Sequence, residues 1–178
     1  GEMSDVYSRV VGDQDFVRKL LSKIPGFGGY IERSNRRASD KLLREYIAGN
    51  YETQWKRLSS IQTDLISNQQ IELVDDVERA AVKLRQFIDR IKTAAYGASS
   101  FFEATKVNED ELAAVYQYDM ALMNSVDEVS RAIDNLESSI GTDGANAAIR
   151  HVTTIAQQSV DAFNKRNEVM RGGESQSQ

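Results

Sequence analysis

The sequence predicts an all-α protein, an antiparallel up-down four-helix bundle with an additional short N-terminal helix, and three observations lead there. Apolar residues recur at three- and four-residue spacing along four long stretches, each drawing one stripe down a helix. A single proline, Pro25, interrupts 178 residues whose Glu, Asp, Arg, Lys, Gln and Ala content favours helix over strand. The connections near 68–71 and 141–142 are short, which favours antiparallel neighbours.

A short helix over 12–24 comes first, with Asp13 available as its cap and Phe16, Leu20, Leu21 and Ile24 on one face. Pro25 ends it, because the residue before proline is pushed out of the helical region. A glycine-rich turn with two aromatic residues, Phe27 and Tyr30, comes next. The second helix is expected over 32–68, with Leu43, Ile47, Tyr51, Leu58, Ile61 and Leu65 inward and Gln54 on the same seam. Gly49 and Asn50 fall inside it, and a helical glycine costs about 1 kcal/mol relative to alanine. The stripe keeps its phase across them, so one long helix is expected, bent at Gly49 or continuous, with two collinear helices as the alternative.

The third helix is expected over 71–96, with Val74, Val77, Ala81, Leu84, Ile88, Ile91 and Ala95 inward, Ile71 extending the stripe backwards and Gly97 ending it. Phe101 and Phe102 then mark a loop or turn folded against a bundle end, two phenylalanines being costly to leave in water. Asn108 and Glu111 form a candidate reciprocal cap, and Val107 and Leu112 a hydrophobic staple, at the start of a helix over 108–140. Its stripe is Leu112, Val115, Leu122, Val126, Val129, Ile133, Leu136 and Ile140, and Gly141 ends it. Thr142 or Asp143 caps the last helix, 142–171, whose inner face is Ile149, Val152, Ala156, Val160, Phe163 and Met170, with Ala145, Ala147 and Ala148 allowing close approach. Residues 1–171 are read as one domain with left-handed, coiled-coil-like packing, and 172–178 as a disordered tail with nothing to bury.

Composition narrows the function. Without cysteine there is no disulfide, thiol nucleophile or thiolate metal site, which fits a reducing cytoplasm. No uninterrupted apolar run approaches a membrane span, and the N-terminus lacks the zones of a secretion signal, so a soluble, cytoplasmic protein is expected. Net charge is −5, but residues 1–60 carry eleven basic against eight acidic side chains, and residues 61–178 eleven against nineteen. The acidic majority argues against nucleic acid on the body of the protein, and any anionic partner is expected to meet the first sixty residues.

Chemical constellations are sparse. A carboxylate-bridged di-iron centre needs two Glu-x-x-His pairs, whereas the one histidine, His151, has no glutamate three residues before it and reads as a surface position. Asp119 falls on the seam between Val115 and Leu122, among Tyr116, Tyr118 and Met120; burial there requires a hydrogen-bonding partner, with a solvent-facing position or a ligand role as the other readings. The Gly26–Tyr30 segment lacks the strand and the Gly-Lys-Ser/Thr or Gly-x-Gly-x-x-Gly pattern of a nucleotide loop, and reads as a hinge or part of a recognition surface. Trp55, one residue off the seam, reads as packing at the core edge.

Arg33, Arg36, Arg37, Lys41 and Arg44 form a basic run, and positions 33, 37, 41 and 44 share one helical face. Basic residues near a helix N-terminus oppose the macrodipole, so helix stability does not explain them. The face is either solvated or salt-bridged, Asp75, Asp76 and Glu78 being candidate partners, or it binds something acidic. The expectation is a non-enzymatic interaction or scaffold module with no cofactor or metal. Its partner is a protein with an acidic surface, docking on Phe27, Tyr30, Arg33, Arg36, Arg37, Lys41 and Arg44. The alternatives are a peripheral protein on an anionic membrane surface, inserting the N-terminal segment, and a small-ligand binder or enzyme built around Asp119, Tyr116 and Tyr118. A homodimer is open.

Overall fold

The structure, a computed structural model, describes residues 21–22, 24–25, 36–93 and 109–176, the side chains of 36–40, 109–120 and 166–176 lying outside that set. Among the described residues there are four long helices: α1 (Arg36–Ser67), α2 (Val74–Thr93), α3 (Glu109–Ser139) and α4 (Ala145–Gln176). A 3-10 turn, Ile71–Leu73, leads into α2. There is no strand among the described residues, and the helices form a four-helix bundle. Contacts divide the chain into two compact units, one built from Ile47–Arg90 and Met123–Asp161, the other from Gly1–Tyr46, Ile91–Leu122 and Ala162–Gln178.

The first of these units is two hairpins. α1 stops where Gln69 takes a left-handed conformation, φ 62°, after which the Gln70 amide reaches back to the Leu65 carbonyl at 2.8 Å. α3 stops in the same way at Gly141, φ 85°, where glycine carries no Cβ to clash. Thr142 then prepares α4: its Oγ1 donates to the Ser139 carbonyl at 2.6 Å and accepts the Gly144 amide at 3.2 Å. Gln70 ties the turns together, its Oε1 accepting the Gly141 amide at 2.6 Å and its Nε2 donating to the Thr142 carbonyl at 3.4 Å. Both turns therefore sit at one end, and α1 runs parallel to α3, and α2 to α4.

Polar contacts fix which helices touch. Gln62 of α1 donates to Glu78 of α2 at 2.7 Å, and Lys83 of α2 to Gln157 of α4 at 2.8 Å. Arg57 joins α1 to α3 through Asp134 at 2.5 Å, Glu137 at 3.3 Å and the Ser130 hydroxyl at 3.2 Å. Burial by itself lowers the Arg57 pKa, but the bond to Asp134 and the charge of Glu137 outweigh it and hold the guanidinium above its ordinary value.

One core layer takes a side chain from every helix. Tyr51 of α1 is fully buried and meets Phe87 of α2 edge-on, with ring centroids 4.6 Å apart. Its hydroxyl lies 2.9 Å from the Ser159 hydroxyl of α4 and also bonds Ser125 of α3. Two large rings thus fill the space that two serines leave, and the phenol finds the partners a buried hydroxyl requires. Burial pushes the Tyr51 pKa far above the usual phenol range, and the serine bonds oppose this only in part.

The stripes match the buried set closely, since Leu43, Ile47, Tyr51, Leu58, Ile61 and Leu65 of α1 are all inside, as are Leu122, Val126, Val129, Ile133 and Leu136 of α3. Helix α1 is unbroken through Gly49, where an added Cβ would meet nothing within 4 Å. Other expectations need correcting. Ile71 does not extend the α2 stripe: it is 65% exposed in the 3-10 turn, whose tighter winding puts Leu73 inward instead. Leu21 leaves the N-terminal stripe and is 47% exposed, whereas Ile24 is buried. Helix α4 runs through Gly172 and Gly173 to Gln176, where a structureless tail was expected; extending a formed helix is cheap compared with nucleating one, and no proline stops it.

Candidate interaction site

The basic run does not lie on one open face. Lys41 is exposed, but Arg44 is only 3% exposed and donates from Nη1 to the Ile91 carbonyl at 3.2 Å. The buried band of α1 is two residues wide here, Leu43–Arg44 and then Ile47–Ala48, so residue 44 falls inside although its helical spacing from Lys41 suggested otherwise. The Ile91 carbonyl belongs to the last described turn of α2, and a guanidinium suits that end of the helix dipole. Arg44 therefore caps α2 and is not surface charge.

Salt-bridging of the run by Asp75, Asp76 and Glu78 is also corrected. The hairpin is antiparallel, so the start of α2 lies against the end of α1, where Glu78 accepts Gln62, and Asp76 pairs with Arg79 of its own helix. Arg36 and Arg37 open α1, and no acid stands in its first turn. Tyr116, Tyr118 and Asp119 lie on α3 with their side chains outside the described set, and Phe27, Tyr30 and Arg33 are outside the described residues altogether. His151 is exposed on α4, and among the described residues no group of three His, Asp or Glu side chains is placed to hold a metal ion. Trp55 is partly exposed beneath the Arg85 guanidinium, 4.1 Å from the ring centroid, and Arg85 also reaches Glu52 and Asp89, each at 3.6 Å.

Among the described residues a groove of about 770 Å³ lies between α2 and α4, in the unit containing both hairpin turns. Ile149 and Thr153 help to line it, Val82 stands on its wall 44% exposed, and Arg79, Lys83 and Arg150 edge it. A second, separate depression shares Lys83 and Gln86 and is lined also by Phe87, Arg90, Gln157 and Val160. Asp76 to Arg90 along α2 spans ~21 Å, about four helical turns. The edge charges are not equivalent. Asp76 is taken by Arg79 and Asp89 by Arg85, whereas among the described residues no carboxylate lies within ion-pair distance of Lys83 or Arg150.

Sequence reasoning passed over Val82, Lys83 and Arg150. The available signal was the run Ala80-Ala81-Val82, one apolar residue wider than a helix stripe requires, which leaves Val82 facing out. The geometry is that of a helical scaffold with exposed cationic and apolar positions. Compared with models of known families, with curated protein sequences and with solved structures, the chain shows no match.

Proposed function

We propose that the chain is a non-enzymatic helix-bundle interaction module of the cytoplasm, whose basic segment Arg33, Arg36, Arg37 and Lys41 engages an acidic surface of a protein partner. One observation carries the reading: α1 opens on two arginines with no acid in its first turn, an arrangement that costs helix stability, and Lys41 beyond them is exposed with no carboxylate partner among the described residues. Charge placed against local stability is best explained by a partner that uses it. Arg44 is left out of the binding set because it caps α2.

The test is an affinity pull-down from the source cell with the full chain and an Arg33→Glu/Arg37→Glu/Lys41→Glu variant, Arg44 being kept so that the fold survives. A partner retained by wild type and lost by the variant supports the reading, and identical captures would refute it. The exposure of Leu21 favours a second reading, a peripheral protein that lays the N-terminal segment on an anionic membrane. Co-sedimentation with anionic vesicles at low salt, absent with neutral vesicles, is its expected sign. Among the described residues no helix is long and apolar enough to cross a membrane.

A further inference from the structure

We infer that the partner of the basic segment is a second copy of this chain, which docks the start of its α1 over Ile66, Ile71 and the neighbouring carboxylates at the α1–α2 turn. The inference rests on the reading of Arg36, Arg37 and Lys41 as a docking segment and names what they meet.

The α1–α2 turn departs from local stability three times. Ile66 and Ile71 are 54% and 65% exposed on either side of it. Gln69 between them takes a left-handed backbone, φ 62°, where the matching turn after α3 places Gly141. Asp64 stands in the last turn of α1, which holds no basic residue, so its charge opposes the helix dipole. Local rules broken together at one exposed place mark a surface kept for a contact.

Charge selects the occupant. Gln70 joins the two turns through Gly141 and Thr142, so both hairpins contribute to this end. The stretches 58–78 and 132–149 that build it hold eight acidic side chains and no basic one. Arg57 takes Asp134 and Glu137, and Arg79 takes Asp76. Asp64, Glu72, Asp75 and Asp143 are exposed, and among the described residues none of them lies within ion-pair distance of a cation. The occupant is therefore basic. The start of α1 supplies that complement, since Arg36 and Arg37 open the helix with no acid in its first turn and Lys41 follows exposed. The two patches are opposite ends of one continuous helix of 32 residues, ~48 Å long, so they meet only between copies. In that contact the arginines of one α1 face the carboxylates at the end of another, and charges that opposed their own helix dipoles gain partners.

The measurement is sedimentation equilibrium of the full chain over a range of concentrations at low salt. A head-to-tail contact does not close, so the average mass is expected to rise past that of a dimer with concentration, and to fall toward the monomer in about 0.5 M salt. Arg37→Glu/Lys41→Glu and Asp64→Lys/Glu72→Lys are each expected to weaken association about tenfold or more. An equimolar mixture of the two is expected to associate again, because each variant keeps the half that the other has lost. Ile71→Ser, which alters no charge, is expected to weaken association as well. Circular dichroism confirms that each variant folds. A wild type that stays monomeric, a closed dimer indifferent to salt, or a mixture no more associated than its components each overturns the inference. If the wild type is monomeric while a pull-down still captures a partner that Arg33→Glu/Arg37→Glu/Lys41→Glu loses, the basic segment serves a different acidic protein, and only this inference falls.

Discussion

The Tyr51 layer offers the most direct test of how the bundle is held. Tyr51→Phe keeps the ring and its edge contact with Phe87 but removes the hydroxyl that meets Ser159 at 2.9 Å. Little apolar burial changes, so the loss is the phenol's two neutral hydrogen bonds, to Ser159 and Ser125, about 1–2 kcal/mol. Ser159 is not left orphaned, because its hydroxyl also lies 3.5 Å from the Ile155 carbonyl as donor. Ser159→Ala makes the reciprocal change and also costs about 1 kcal/mol, as the phenol keeps Ser125. The double variant removes the same bond once, so its loss falls short of the sum by about 0.5–1 kcal/mol. Urea melts followed by helical circular dichroism measure all three, and each kcal/mol lost corresponds to a fall of about 2–4 °C in Tm for a chain of this size. Losses that simply add, or single variants as stable as wild type, would show that these hydroxyls do not meet in a closed core.

The same residue sets a pH dependence. The folded phenol resists ionisation while the unfolded one ionises near its usual value of about 10, so the contribution is intact below that value and declines as pH rises above it. Wild type is therefore expected to lose stability more steeply than Tyr51→Phe between about pH 9 and 11 in chemical denaturation. Gly49→Ala is expected to stabilise by about 1 kcal/mol, since the helix is continuous and an added methyl meets nothing; an unchanged or lower urea midpoint would contradict an uninterrupted α1. Gly141→Ala is expected to destabilise by about 1–2 kcal/mol, because φ is +85° and its Cβ would approach Asn68 Oδ1 at 3.4 Å; thermal melts read the loss. Arg57→Ala removes bonds to Gln54, Ser130, Asp134 and Glu137 and is expected to cost about 1–2 kcal/mol, less in high salt because both carboxylates are substantially exposed.

The fold class and the inward rows of α1, α3 and α4 were legible because a helix buries residues at its own period, and no side chain from elsewhere in the chain is needed to see that period. Gly141 was legible as a stop for the same local reason, left-handed backbone being cheap for glycine. Ile71 was misplaced because a 3-10 turn has a different period from the helix after it. Phe87 was missed because it sits beside Ile88 on an inward face two residues wide.

The chain by itself thus determined the set of helices and most of what each turns inward, since those depend on neighbours three and four positions away. Tertiary structure alone decided that Arg44 serves α2 as a cap, and that Lys83 and Arg150 edge a common groove. Each of these depends on which helix stands alongside. That is chosen by the fit of side chains dozens of residues apart, as when the Tyr51 ring reaches two serines on other helices, and no local spacing records it.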